Sequence, residues 1–173
     1  MIKIITLAMF TGIGLFQEAI SQELETLENY YTIGILSLDK GEYTAAISNF
    51  EKCIQLSPND ANAYRELGIV YKYLGNYTKA IELHEKSIVL NPYSDKTYYN
   101  MGLIYHDQSN HIRAVKLYEK AIEINPENVK AFFNLGILYH NSDFDKAIYN
   151  YKNAAALGHV ESRNWLSKNG YSW

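Results

Sequence analysis

INPENVKAFFNLGILYH, at residues 124–140, is an Asn-Pro turn followed by an amphipathic stretch, and the chain contains two further versions of it. LSPNDANAYRELGIVYK occupies residues 56–72, and LNPYSDKTYYNMGLIYH occupies residues 90–106. A fourth version, ENYYTIGILSL from Glu28, repeats the amphipathic half alone. Repetition at one fixed interval is typical of a stacked array of small structural units, so this stretch decides the fold.

The repeated positions lie 34 residues apart. They hold a glycine, a proline, an alanine and an aromatic residue: Gly34, Gly68, Gly102 and Gly136; Pro58, Pro92 and Pro126; Ala46, Ala80 and Ala114; Tyr30, Tyr64, Tyr98 and Phe132. In the second unit the aromatic residue, the Leu-Gly pair and the next tyrosine fall on one face of a helix. A glycine on that face lets a partner helix approach closely, which must offset its cost of about 1 kcal/mol relative to alanine.

Each unit contains signals for two helices. In the second unit the first helix is broken at Gly75-Asn76, and the stretch KAIELHEKSIVL then ends at Asn91-Pro92, because proline lacks a backbone donor. In the fourth unit one residue is missing between Tyr139 and Ala147, and the turn has no glycine. The sequence therefore predicts helix pairs throughout, with a shorter turn in the fourth.

The order aromatic, Leu-Gly, Tyr, Ala and Pro at this spacing resembles the tetratricopeptide repeat family over residues 27–156. The resemblance implies an all-α protein, a right-handed α-solenoid of four antiparallel helix pairs at residues 27–60, 61–94, 95–128 and 129–156. The stretch NAAALGHVESRNWL resembles the junction of SEL-type repeats, so residues 157–173 are expected to form a C-terminal capping helix and a tail.

Composition narrows the functional classes. The chain has 173 residues, of which 16 are basic and 19 acidic, and its net charge of -3 gives no overall positive field to hold nucleic acid. A hydrophobic fraction of 47% indicates a folded chain rather than a disordered one. Cys53 is the one cysteine in the sequence, so neither an internal disulfide nor a multi-cysteine metal site is expected.

The N-terminal segment differs from the repeats. An uncharged apolar run fills residues 4–16, and small residues stand one and three positions before Gln22, as signal peptidase requires. Residues 1–21 are therefore predicted to be a secretory signal peptide cleaved after Ser21, with a linker at residues 22–26. The mature protein is then expected in a periplasm or outside the cell, without a membrane span. The alternative is a retained N-terminal helix that packs on the domain.

The resemblance also implies that the first helix of each pair lines a concave groove. Subtracting the packing face leaves the candidate groove residues: Tyr31, Ile35, Arg65, Ile69, Lys72, Tyr73, Lys96, Tyr99, Asn100, Leu103, His106, Lys130, Phe133, Asn134, Ile137 and His140. The apolar members recur once per unit, and an exposed apolar line with aromatic neighbours is typical of a partner surface. The alternative is that neighbouring helices cover this line.

The charges of the candidate groove are opposite in sign to the net charge of the protein. In the last three units Arg65, Lys72, Lys96 and Lys130 stand against Asp107 alone, so an acidic or carboxylate-bearing ligand is expected. The alternative is that these are ordinary solvated cations.

Some members of the family hold a partner's C-terminal carboxylate with two Lys, two Asn and an Arg. Arg65, Asn100, Lys130 and Asn134 occupy comparable places here. However, Ile69 stands where this arrangement has Asn, and Asn134 where it has Arg. We therefore expect a groove for a protein or peptide segment, and not that particular ligand.

Catalysis is not expected, and no cofactor or metal is predicted. His106 and His140 recur at one period and are a conceivable metal pair, but two ligands without a nearby carboxylate or Cys do not make a site. Cys53 falls at a small-residue packing position, which predicts an inert buried thiol. No serine elbow, phosphate-binding loop or metal signature follows residue 21.

The sequence thus predicts an exported, non-catalytic adaptor whose groove binds a segment of another protein. One alternative is a self-associating structural unit, in which the open face of the first pair and the tail Tyr171–Trp173 meet another copy. Another is an accessory subunit of an envelope enzyme or assembly machine, using the histidine pair.

Overall fold

The structure is a computed structural model that describes Gln22 and residues 26–173. The predicted signal peptide at residues 1–21, and most of the predicted linker, lie outside the described residues. The described part of the chain contains nine helices and no strand: α1 at 26–39, α2 at Tyr43–Leu56, α3 at Ala61–Tyr73, α4 at Tyr77–Leu90, α5 at Asp95–Asp107, α6 at His111–Ile124, α7 at Val129–Tyr139, α8 at Phe144–Ala156 and α9 at Val160–Lys168.

Consecutive helices pack as antiparallel pairs, and each pair stacks on the next. The most extensive packing joins α3 to α4, α5 to α6 and α7 to α8, while α4 with α5 and α6 with α7 connect one pair to the next. The stacking is apolar, because Ala46 and Phe50 of α2 form one buried cluster with Leu67 and Val70 of α3. The all-α solenoid implied by the resemblance is confirmed.

An aromatic or imidazole ring packed on a glycine joins the two helices of each pair. The contacts are Gly34 with Phe50, Gly68 with His84, Gly102 with Tyr118 and Gly136 with Tyr151. A Cβ atom at Gly102 would lie 2.6 Å from Cε1 of Tyr118, which is closer than side-chain atoms pack. The repeated glycine is therefore needed because the ring of the second helix occupies the space of its missing side chain.

The turns within the first three pairs use a residue with positive φ. Gly41 and Gly75 both take a φ of 74°, and Ser109 takes a φ of 59° at the equivalent place in the third pair. In the second and third pairs the residue that follows caps the next helix: Asn76 accepts a hydrogen bond from the backbone N–H of Lys79, and Asn110 accepts one from that of Arg113. Such a cap satisfies one of the backbone donors that a helix N-terminus leaves unpaired.

The fourth pair accommodates its missing residue in a helix and not in the turn. Helix α7 has 11 residues, whereas α3 and α5 each have 13. The connection that follows α7 spans residues 140–143, one residue longer than the connection at residues 74–76. The predicted shorter turn is therefore wrong, because α7 ends early and the chain reaches the Asp143 cap through extra turn residues.

Helix α9 covers the end of the last pair. Leu166 is fully buried in a cluster with Ala147, Tyr151 and Ala155 of α8, and Trp165 packs beside it. This helix gives the solenoid the C-terminal cap that a terminal unit requires. Within the described residues, none of the helices is both long enough and apolar enough to cross a membrane.

Candidate functional site

Two cavities lie along the first helices of the pairs. The central cavity, of about 390 Å³, lies among α3, α5, the α6–α7 connection and the start of α7, and is lined by Arg65, Glu66, Ile69, Asp95, Lys96, Tyr99, Asn100, Asn125, Glu127, Asn128, Val129 and Lys130. The turn cavity, of about 480 Å³, is lined by Leu38, Asp39, Lys40, Gly41, Tyr43, Ile69 and Tyr73. Ile69 lines both, so the two cavities adjoin at this residue.

The structure brings part of the predicted groove set into these cavities. The central cavity contains Arg65, Ile69, Lys96, Tyr99, Asn100 and Lys130, and the turn cavity contains Ile69 and Tyr73. The other members lie elsewhere. Tyr31 and Ile35 pack against the first apolar cluster, Leu103 packs against the α6–α7 cluster, and Phe133 packs against the α8–α9 cluster. Ile137 is exposed but lines neither cavity.

Arg65 is held by its neighbours and does not offer a free charge. Its Nη2 atom lies 2.7 Å from Oε1 of Glu66, and its Nη1 donates to Oδ1 of Asn62 at 2.6 Å. The same Glu66 oxygen accepts a hydrogen bond from the phenol of Tyr31 at 3.5 Å. Both charged side chains are only about a tenth exposed, 11% and 12%. The ion pair therefore shapes the wall of the central cavity and leaves it nearly neutral at this point.

The remaining cations differ in their surroundings. Lys72 lies 3.6 Å from Asp107 across the α3–α5 contact, so its charge is also compensated. Lys96 and Lys130 are exposed and form no ion pair with another described residue. Of the four cations predicted for the groove, these two are available to an anionic ligand.

The connection between α6 and α7 contributes polar residues to the rim of the central cavity, and these residues were not predicted from the sequence. Asp95 accepts hydrogen bonds from the side-chain amides of Asn125 and Asn128, both at 2.9 Å. Asn128 also caps α7 by accepting from the backbone N–H of Ala131. These contacts fix the connection against the start of α5. The paired Asn residues, 30 and 33 positions after Asp95, were the available signal, because both flank the repeated proline.

Uncharged hydrogen-bonding groups complete the central cavity. The phenol oxygen of Tyr99 accepts a hydrogen bond from the amide of Asn134 at 3.3 Å, and burial raises the pKa of Tyr99. The phenol is therefore neutral at physiological pH. Asn134 does not line the cavity, and its role is to orient Tyr99, while the amide of Asn100 lies in the wall itself.

The second helix pair differs from the other three in the side chains that meet between its two helices. The other pairs place an aromatic ring of the first helix against one of the second, as Tyr31–Phe50 at 5.9 Å, Tyr99–Tyr118 at 5.7 Å and Phe133–Tyr151 at 6.1 Å between centroids. The second pair has Arg65 and His84 at these places. His84 is fully buried, and neither ring nitrogen has a hydrogen-bond partner among the described residues. Burial, together with the charges of Arg65 and Lys72, lowers its pKa to about 4.

The histidines of the predicted metal pair have other neighbours. The ring of His106 lies 5.8 Å from that of His111, and its Nδ1 lies 3.4 Å from the hydroxyl of Tyr118. His140 instead packs against Trp165, at 5.5 Å between ring centroids. No three His, Cys, Asp or Glu side chains within the described part of the chain are grouped to hold a metal ion.

The thiol of Cys53 lies where α2 packs on α1. It is fully buried, and its sulfur lies 3.8 Å from the carbonyl oxygen of Leu27. Burial raises its pKa to about 11, which keeps it protonated. A protonated, inaccessible thiol is a packing group and not a nucleophile.

Comparison with known families identifies the repeats. Models described as tetratricopeptide repeat match residues 61–94, 95–128 and 117–154, and a model described as TPR repeat matches residues 36–75. The chain therefore belongs to the tetratricopeptide repeat family, which confirms the resemblance. A search of curated proteins finds no significant match.

Several solved structures share the fold. A crystal structure of MamA has 28% identity and a TM-score of 0.66, and the alignment covers 80% of this chain and 77% of that one. Another MamA structure has 26% identity and a TM-score of 0.68, covering 86% and 87%. PilF of Pseudomonas aeruginosa has 20% identity and a TM-score of 0.75, covering 86% and 71%, and shows the fold alone.

Proposed function

We propose that this protein is a non-catalytic adaptor that binds a peptide segment of a partner protein along the central and turn cavities. Membership of the tetratricopeptide repeat family supports a role in protein interaction. The observation that carries the more specific proposal is the arrangement of charges in the central cavity. Arg65 is paired with Glu66, whereas Lys96 and Lys130 form no ion pair with another described residue, although Asp95 and Glu127 also line the cavity.

The partner segment that fits this arrangement carries an acidic group beside an apolar one. Lys96 and Lys130 attract a carboxylate, and the amide of Asn100 donates hydrogen bonds to it. The adjoining turn cavity offers Ile69 and Tyr73, with Tyr73 stacked on Tyr43 at 5.9 Å between ring centroids. A rigid stacked aromatic pair provides contact area with little loss of side-chain entropy. Charge therefore selects the segment, and the apolar surface at Ile69 adds affinity.

A displayed random-peptide library, selected against the full chain, tests this function. We expect the enriched sequences to place Asp or Glu near an aliphatic or aromatic residue. The variant Lys96→Glu with Lys130→Glu should bind the enriched peptides at least about tenfold more weakly, because attraction becomes repulsion at both charges.

The matched control carries the same change of charge away from the cavities. Lys52→Glu with Lys116→Glu alters two exposed lysines on α2 and α6. Equal weakening by both double variants would show a general charge effect and contradict the proposed groove. Arg65 is unsuitable for the test, since its removal leaves the buried Glu66 carboxylate unpaired.

A further inference from the structure

Two of the four helix pairs use a phenol to reach the next pair. In the first pair the hydroxyl of Tyr31 lies 3.5 Å from Oε1 of Glu66, a residue 35 positions further on. In the third pair the hydroxyl of Tyr99 lies 3.3 Å from the amide nitrogen of Asn134, again 35 positions further on. The ring at this place of the period therefore joins its own first helix to the first helix of the following pair.

The second pair does not make this connection. Its residue at the same place is Arg65, and the residue 35 positions further on is Asn100. Nε and Nη2 of Arg65 donate to Oε1 of Glu66 at 3.1 and 2.7 Å, and Nη1 donates to Oδ1 of Asn62 at 2.6 Å. Because each nitrogen of the guanidinium is engaged within α3, Arg65 does not bridge to Asn100 in the described structure.

The central cavity lies where this bridge is missing. Arg65 and Asn100 both line it, and Tyr99 lies beside Asn100 in its wall. Its volume of about 390 Å³ is within the range of pockets that admit an organic group. The space that a phenol crosses in the first and third pairs is therefore open, in the second, to a group from a bound partner.

The arginines elsewhere in the chain stack on aromatic rings. The guanidinium carbon of Arg113 lies 5.2 Å from the ring centre of Tyr105, and that of Arg163 lies 4.4 Å from the ring centre of Trp173. Among the described residues no such ring lies over Arg65, although its hydrogen bonds hold the guanidinium in a fixed plane. A planar, largely desolvated guanidinium attracts an aromatic ring more strongly than an exposed one does.

We propose that the central cavity accepts a tyrosine side chain of the bound segment, with its ring on the Arg65 guanidinium and its hydroxyl donating to the side-chain oxygen of Asn100. This inference rests on the proposed function and names the residue that anchors the segment. An amide has an acceptor and two donors, so Asn100 serves the phenol with its oxygen and the carboxylate attracted by Lys96 and Lys130 with its nitrogen. The partner thereby supplies the ring that this pair of the solenoid lacks.

Peptides enriched from the displayed library measure the contribution of the tyrosine. The selection should place Tyr close to Asp or Glu. In a synthetic copy of an enriched peptide, changing that tyrosine to alanine should weaken binding to the full chain by about tenfold or more, because the stacked ring is lost. Changing it to phenylalanine should weaken binding by about threefold, since only the hydrogen bond to Asn100 is lost. Isothermal titration calorimetry gives the dissociation constants.

A variant that copies the third pair into the second removes the space for the ring. Arg65→Tyr with Glu66→Asn and His84→Tyr introduces the residues that the third pair has at these places, Tyr99, Asn100 and Tyr118. The cation and the Glu66 carboxylate are removed together, so neither is left buried without its partner. In this triple variant, shown to be folded by circular dichroism, the tyrosine and alanine peptides should bind equally well.

A second variant tests the hydrogen bond without repacking the pair. Asn100→Ala should bind the tyrosine and phenylalanine peptides equally well and should keep the preference of about tenfold for a ring over alanine. The control is Arg113→Tyr, which replaces an exposed arginine on α6. It should leave the affinities of all three peptides unchanged.

The outcomes separate this inference from the function on which it rests. Enriched acidic peptides that lack tyrosine, and that bind more weakly to Lys96→Glu with Lys130→Glu, would overturn the inference and leave the adaptor function supported. A preference for tyrosine over alanine that persists in the triple variant would also overturn it, because the ring would then bind outside the central cavity. Failure to enrich any peptide would contradict both.

Discussion

The ring of His84 lies directly on Gly68, where an added Cβ atom would come within 2.7 Å of its Cε1 atom. The contact joins α3 to α4 beneath the wall of the central cavity. It places an ionisable ring where the other pairs have Phe50, Tyr118 and Tyr151. The stability of the second pair therefore depends on keeping this ring uncharged.

Acidification should destabilise the protein through His84. Because the fold lowers its pKa from 6.5 to about 4, the unfolded chain takes up a proton at a higher pH than the folded chain. Above about pH 6.5 the neutral His84 ring contributes fully to the free energy of unfolding. As the pH falls toward about 4 this contribution is lost, and the loss totals roughly 3 kcal/mol. Urea unfolding of the wild-type protein and of His84→Phe, at several pH values between about 6.5 and 4, measures this loss. The free energy of unfolding of His84→Phe, relative to that of the wild-type protein, should rise as the pH falls. A difference that stays constant with pH would contradict the assignment of this effect to His84.

Filling the space of Gly68 should cost stability only while the His84 ring is present. Gly68→Ala is expected to lower the free energy of unfolding by about 1–3 kcal/mol, through overpacking that exceeds the gain in helix propensity. In a His84→Ala background the same substitution should be neutral or stabilising, because the ring is gone. Chemical unfolding of the wild-type protein, the two single variants and the double variant gives the coupling free energy between positions 68 and 84. Equal effects in both backgrounds would show that the cost of Gly68→Ala does not come from the His84 ring.

Replacing Ser109 by glycine should stabilise the third pair. Ser109 has a φ of 59°, a conformation that costs a residue with a side chain about 1 kcal/mol. Ser109→Gly should therefore raise the free energy of unfolding by up to about 1 kcal/mol, less the extra entropy that glycine loses on folding. The reciprocal change, Gly75→Ser at the equivalent turn, should lower it by a similar amount. Thermal unfolding of both variants measures these changes in stability. A loss of stability in Ser109→Gly would contradict the prediction.

The fate of the N-terminal segment separates two hypotheses. The alternative given by the sequence, a retained N-terminal helix, predicts that the chain keeps its N-terminus when expressed with it in a bacterium that has a periplasm. The export prediction from the sequence requires a periplasmic product that begins at Gln22. Intact-mass analysis of the fractionated cells distinguishes the two, and a full-length product would contradict the export prediction.

The period of the sequence was enough to predict the fold, because glycine, proline and aromatic residues each restrict local geometry in a known way. The chemical identity of the ring that packs on each glycine was less predictable. His84 matches Phe50 and Tyr118 in position but not in chemistry, and nothing in a helical period requires a polar ring to be buried.

The groove was only partly predictable for two physical reasons. Counting helix positions assigned Arg65 to the groove but could not show that its long side chain folds back on Glu66, the next residue. It also omitted Asn125 and Asn128, which reach Asp95 only when the stacked pairs bring a connection and a helix together. Side chains that act across units are set by tertiary contact and not by the period.

The fourth pair shows that the glycine–ring contact does not depend on the length of the unit. Gly136 meets Tyr151, 15 residues later, whereas Gly34, Gly68 and Gly102 meet rings 16 residues later. The fourth unit is one residue shorter but keeps the ring on the glycine, because Tyr151 is the eighth residue of α8, as Phe50, His84 and Tyr118 are of α2, α4 and α6. A first helix can therefore shorten without loss of this contact, and two units are better compared by matching their glycine–ring contacts than by aligning them at constant length.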